Sequence, residues 1–151
     1  MKSLIDLQVG DELIQSDWTE VSQNAVNQFA DATGDHQWIH VDVERCQKES
    51  PFGSTIAHGF MTASMLPQAF SSVLGSSEKI ASVINYGIDS LRFLEPVRVG
   101  SQIKFAFTVT ERTTKPSGTL FHVSATCSIK GNDKPALVGT FLMLAVEVPA
   151  S

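Results

Sequence analysis

Asp35 and His40 lie five residues apart in the stretch Thr33-Gly34-Asp35-His36-Gln37-Trp38-Ile39-His40. A carboxylate and an imidazole are the two side chains best suited to share proton transfers near neutral pH. A second stretch, Ala57-His58-Gly59-Phe60, follows at the mouth of a long apolar segment. Gly59 at a helix start would offer a backbone N–H with no helical partner and a partial positive charge. An acid/base pair facing such a group suits a reaction that builds negative charge on a carbonyl oxygen.

Each of these residues also has a plainer reading. Asp35 serves equally well in an Asx turn after a helix. His40 by itself is as readily a structural histidine, and Gly59 a simple N-terminal turn. His58 suits a hydrogen bond that shapes that turn better than it suits chemistry. Ser64 lies in the same segment and is kept as a substrate-binding candidate, without a third member for a triad. Asn85, beside Tyr86-Gly87 on an expected strand, either orients a substrate or makes a structural hydrogen bond.

His36 and His40 have the i, i+4 spacing of two metal ligands on a helix face. The zinc-hydrolase pattern needs a glutamate directly after the first histidine, where Gln37 stands. Gly34 also opposes a helix here, so no metal is expected. The chain contains no G-x-S-x-G elbow, phosphate-binding P-loop or G-x-G-x-x-G fingerprint.

The elements that must position these residues follow from caps and periodicity. Ser22 is an N-cap for a helix to about Thr33, whose stripe of Val26, Phe29, Ala30 and Thr33 has helical spacing. Gly34 supplies the stop. Asp35 to Val41 is then loop or short extended chain, and Asp42 caps a short polar turn through Lys48. From His58 to about Leu74 a second helix is apolar on nearly every side, the pattern of a helix buried in a core. Pro67 inside it predicts a kink, because it cannot bond the carbonyl of Ala63.

The second half changes period. Segments 80–87, 88–93, 102–111, 119–130 and 136–148 are rich in β-branched and aromatic residues, with Ile103, Phe105, Phe107 and Val109 in clear alternation. Pro96, Gly100, Pro116-Ser117-Gly118 and Gly131-Asn132-Asp133 separate them. These are antiparallel strands in a meander, curved around the buried helix. The edges such a sheet leaves would be covered by dimerisation through edge pairing.

Motif and element order together resemble the MaoC-like family of (R)-specific enoyl-CoA hydratases and 3-hydroxyacyl-thioester dehydratases. The carrying residues are Phe29 to His40, then Phe52-Gly53-Ser54-Thr55-Ile56-Ala57-His58-Gly59, with Val83 to Gly87 and Leu91 to Val97 adding to them. Gln37-Trp38, where many hydratases have Asn-Pro, resembles the nodulation-protein-N-like branch.

The resemblance covers nearly the whole chain. It implies an α+β hot-dog fold over 1–151, an antiparallel sheet wrapped around a long central helix. It implies reversible hydration of trans-2-enoyl thioesters to (R)-3-hydroxyacyl thioesters, with no cofactor and CoA thioesters as substrates. The family's catalytic Asp and His match Asp35 and His40, and its backbone oxyanion donor matches Gly59. For dehydration, Asp35 is assigned as base at the α-carbon and His40 as acid on the leaving hydroxyl; hydration reverses both. The chain departs from some members at Pro67, where the resemblance places a further active-site serine, while Ser64 belongs to the common helix pattern. Arg92, Arg98, Lys104 and Lys115 are scattered candidates for CoA phosphates.

Composition bounds the alternatives. The chain has 151 residues, 42% hydrophobic and 18% charged, which suits one globular domain with a real core. A net charge of -5, with no basic run, argues against nucleic acid or an anionic membrane as partner. The run Phe141 to Val146 is too short for membrane insertion. Cys46 and Cys127 have neither disulfide-framework nor zinc-finger spacing, and Asp6 interrupts any signal-peptide core, so a cytoplasmic protein is expected, with edge pairing making it a homodimer. Two rivals remain: a hot-dog acyl-CoA thioesterase, which would want a carboxylate on the central helix, and a non-catalytic acyl-thioester-binding subunit.

Overall fold

In the computed structural model, which describes residues 1–150, the first helix starts and stops where its caps predict. The Ser22 hydroxyl accepts from the Ala25 N–H, and α1 runs Gln23–Thr33. Gly34 ends it at φ 82, a left-handed conformation that costs glycine no Cβ clash, and its N–H donates to the Ala30 carbonyl.

The stretch after it differs from expectation. Instead of loop or extended chain, Trp38–Val41 forms a single helical turn, α2, closed by the Asp42 N–H on the Trp38 carbonyl at 3.0 Å. The Asp35 carboxylate accepts from the Gln37 N–H at 3.3 Å, an Asx turn that re-aims the chain before α2. Asp42 then caps α3 (Val43–Glu49) by accepting from the Arg45 N–H.

The long central helix is two short ones, α4 (Gly59–Ser64) and α5 (Leu66–Ser72). Pro67 has no N–H to offer Ala63, and the chain breaks at Met65, whose N–H turns to the Thr62 carbonyl at 3.2 Å. Burial is one-sided rather than all round. Met61, Leu66, Ala69 and Phe70 face the core, while Phe60 is 70% exposed and Ser64 and Gln68 face outward.

The sheet holds β1 (Glu12–Ile14), β2 (Thr19–Glu20), β3 (Ile80–Phe93), β4 (Gln102–Lys115), β5 (Gly118–Ile129) and β6 (Leu137–Glu147). Its order is β1-β4-β5-β6-β3, with β2 also paired to β4. The meander of β4, β5 and β6 is as expected. The segments 80–87 and 88–93 are one strand, carried through by register shifts at Asn85/Gly87 and Ile88/Ser90. That strand does not pair with β4, its neighbour in sequence. It pairs with β6, in a register that sets Ile84 opposite Leu144 and Phe93 opposite Leu137. β1 and β2, three and two residues long, are too short for periodicity to reveal.

The inner face of the sheet packs on α4 and α5. Phe70 meets Phe107 and Phe141 edge to face, with ring centroids 5.1 and 5.5 Å away. β3 ends the sheet as an open edge, with Val83, Ile84, Tyr86, Ile88 and Phe93 all exposed.

Candidate active site

Three elements bring Asp35, His40 and His58 together. Asp35 comes from the α1–α2 turn, His40 from α2, and His58 from the residue that precedes α4. One side-chain N or O atom of each lies within 4.8 Å of those of the other two. His40 is 7% exposed and His58 3%, whereas the Asp35 side chain remains 54% exposed.

Backbone carbonyls fix one N–H on each ring, since a carbonyl can only accept. His40 Nδ1–H donates to the Ile56 carbonyl at 2.7 Å, which leaves the Nε2 lone pair open. His58 Nε2–H donates to the Asp35 carbonyl at 2.9 Å. The rings stack at 3.8 Å and 21°. Burial pushes the His40 imidazole below its ordinary value; the Ile56 bond opposes this, His58 adds to it, and the Asp35 charge opposes it.

Asp35 makes the Asx turn with only one of its two carboxylate oxygens. Oδ1 closes the Asx turn, while Oδ2 stands 4.0 Å from His58 Nε2. The residue is a turn former whose remaining oxygen is available beside His40.

The three side chains have metal-ligand types, but the stack opposes a shared ion. Lone pairs lie in the ring planes, so stacked imidazoles aim theirs side by side rather than at one tetrahedral centre. His36 does not join His40 at all. It faces Asp31 on α1 at 2.9 Å, and that bond raises its imidazole above the ordinary value.

His40 opens onto a cavity of about 280 Å³ with Gly59, Thr62, Phe93 and Pro96 in its wall. The Gly59 N–H precedes the first helical bond, which Met61 closes on the His58 carbonyl at 3.1 Å. A Cβ on Gly59 would lie 3.0 Å from the Phe93 ring, so glycine lets the ring approach the helix start.

Ser64 and Asn85 are not with this group. They line a second, apolar cavity of about 310 Å³ beside Phe60, Pro67 and Ile88. Ser64 Oγ donates to the Met61 carbonyl at 2.7 Å, an internal helix bond. Phe60 of that cavity meets Phe93 of the first edge to face at 5.5 Å. Of the four basic residues considered for phosphates, Arg98 bonds a residue of the first cavity's wall, the Phe52 carbonyl, at 3.0 Å. Lys104 instead lies over Trp18.

Sequence reasoning missed Gln23, Thr55, the Ile56 carbonyl and Phe93. Their roles depend on partners 16 to 34 positions away, and no local pattern marks them.

Residues 6–129 match the family described as MaoC like domain. The chain is 45% identical over 130 residues to 3-hydroxyacyl-thioester dehydratase Z of Mycobacterium tuberculosis, covering 85% of each chain. It is 39% identical over 145 residues to nodulation protein N of Rhizobium leguminosarum bv. viciae, covering 94% of this chain and 90% of that one. In structure it is similar to unliganded R-hydratase PhaJ1 of Pseudomonas aeruginosa, with a TM-score of 0.75 and 22% identity over 97% of this chain and 89% of the other. At that identity the likeness speaks to the fold alone.

Proposed function

We propose that this chain, which belongs to the MaoC-like dehydratase family and has its α+β hot-dog fold, interconverts trans-2-enoyl and (R)-3-hydroxyacyl thioesters, with CoA as the thiol. The observation that carries this reading is the placement of Asp35 beside His40, whose Nδ1 is taken by the Ile56 carbonyl, with His40 and Gly59 lining one cavity.

In dehydration, the Asp35 carboxylate takes the proton from the carbon next to the thioester carbonyl. The electron pair moves onto the carbonyl oxygen, where the Gly59 N–H and the helix start stabilise the enolate charge. Protonated His40 gives its Nε2 proton to the leaving hydroxyl, the C–O bond breaks, and the enolate collapses to the conjugated double bond. Asp35 ends protonated and His40 neutral. Hydration runs from that state: His40 takes a proton from water as its oxygen bonds carbon 3, and Asp35 returns one to carbon 2. Proton count and charge balance in both directions, with no cofactor beyond the thioester. The segment 59–72 carries no carboxylate, which disfavours the thioesterase alternative.

The working form is a homodimer. β3 is fourteen residues long and unpaired along one side, and its exposed apolar residues match what a second copy of the same edge would cover. Among the described residues no helix is long and apolar enough to cross a membrane. A cytoplasmic site of action agrees with substrates made and consumed as CoA thioesters.

The test is a series of trans-2-enoyl-CoA substrates of rising chain length, followed by loss of the conjugated double bond and by chiral analysis of the product. Hydration to the (R)-alcohol is expected. Release of free CoA thiol with the double bond intact, or binding without turnover at every length, would overturn the reading.

A further inference from the structure

Three hydrogen bonds meet at Gln23, the first residue of α1. Its Nε2 donates to the carbonyl of His40 at 2.8 Å and to Asn27 Oδ1 at 2.9 Å. Its Oε1 accepts from Thr55 Oγ1 at 2.6 Å. The amide orientation is fixed, because a flip would set Oε1 against two acceptors. Thr55 is buried and directly precedes Ile56, whose carbonyl receives His40 Nδ1–H. Ile56 in turn donates its N–H to the Ile39 carbonyl at 3.0 Å. One side chain therefore ties the main chain of His40 to the segment that holds the His40 ring.

We infer that Gln23 is a positioning residue for His40: its amide locks α2 against the Thr55–Ile56 segment, and so keeps the Nδ1–Ile56 bond short and Nε2 aimed at the cavity. The alternative arrangements explain the need. α2 is a single turn with no length to hold itself rigid, and Asp35 ahead of it is exposed. Without the amide, α2 is tied to this segment only through the Ile39 carbonyl, which accepts from the Ile56 N–H, and through the ring bond. α1, by contrast, is anchored in the core by Val26 and Ala30, so Gln23 refers the catalytic turn to a rigid element.

The inference rests on reading Asp35 and His40 as the reacting pair, and its test separates the two. Gln23→Met keeps length and helix propensity but removes every hydrogen bond; Thr55→Val removes only the link to the Ile56 segment. Each is compared with the parent protein by nitrogen-15 NMR of the histidine rings, by the pH profile of trans-2-enoyl-CoA hydration, and by Tm. The ionisable groups facing His40 are Asp35 and His58, so the His58→Ala spectrum is recorded as a control.

We expect Gln23→Met to lower kcat by roughly ten- to a hundredfold with KM within about twofold, the scale of a misplaced catalytic group. The His40 ring should titrate at lower pH and lose its single Nδ1–H tautomer, with Thr55→Val moving both readings the same way by less. A drop in Tm with unchanged His40 titration, tautomer and kcat would overturn the inference. If the parent protein hydrates no enoyl-CoA, the hydratase reading fails, and the NMR readings still decide whether Gln23 holds His40.

Discussion

His40 donates from Nδ1 to the carbonyl oxygen of Ile56 at 2.7 Å, across sixteen positions of chain. This bond selects the tautomer with Nε2 open, the nitrogen on which the proposed chemistry turns.

Replacing either member of the pair removes a proton transfer from the transition state. Asp35→Asn and His40→Ala should each lower kcat for enoyl-CoA hydration by about 10²–10⁴-fold. Asp35 is more than half exposed, so Asp35→Asn should leave Tm nearly unchanged. Near-normal turnover in either variant, measured by loss of the conjugated double bond, would remove it from the mechanism.

In the proposed mechanism both directions draw on the singly protonated pair, so activity should fall as pH rises through the His40 value. Burial holds that value below the ordinary imidazole range, and the falling limb of kcat/KM should lie there. The same shift acts on stability. A histidine whose folded value is depressed favours the folded state above its unfolded value, and that support is lost as pH falls through the folded value. The pH dependence of Tm should therefore flatten in the acid range in His40→Gln.

Phe93 sits against Gly59, with only 3.0 Å to spare for a Cβ. The ring is partly exposed, so Gly59→Ala should push it by a few tenths of an ångström rather than unfold the helix start. The expected outcome is a raised KM and a lowered kcat at nearly constant Tm, because the ring and the Gly59 N–H share one cavity wall. Wild-type kinetics in Gly59→Ala would argue that the thioester does not approach that N–H.

A lysine at Ile84 or Ile88 places a charge on the open β3 edge. Either variant should shift the protein from dimer to monomer in sedimentation or light scattering, with the secondary structure retained. A parent protein that is monomeric at micromolar concentration would remove the dimer from the proposal.

The sequence by itself determined the local pieces. Ser22 and Gly34 set the ends of α1, because a cap hydroxyl and a left-handed glycine act within four residues. Pro67 announced the break that divides α4 from α5, because a missing N–H is a local fact. The pairing of Asp35 with His40 was legible from type and spacing, sharpened by the family motif around it. Tertiary structure decided the rest. The turn α2 follows the Asx turn that the Asp35 carboxylate closes on the Gln37 N–H, one of two readings the sequence left open, and the i, i+4 histidines separated, with His36 at Asp31 instead. Asn85 and Ser64 line a second cavity, where α4 meets the paired β3 and β6. The tautomer of His40, its lowered pKa and its tie to Gln23 come from groups distant in sequence. Burial and long-range hydrogen bonds exist only once the sheet has closed on the helices, and no local pattern encodes them.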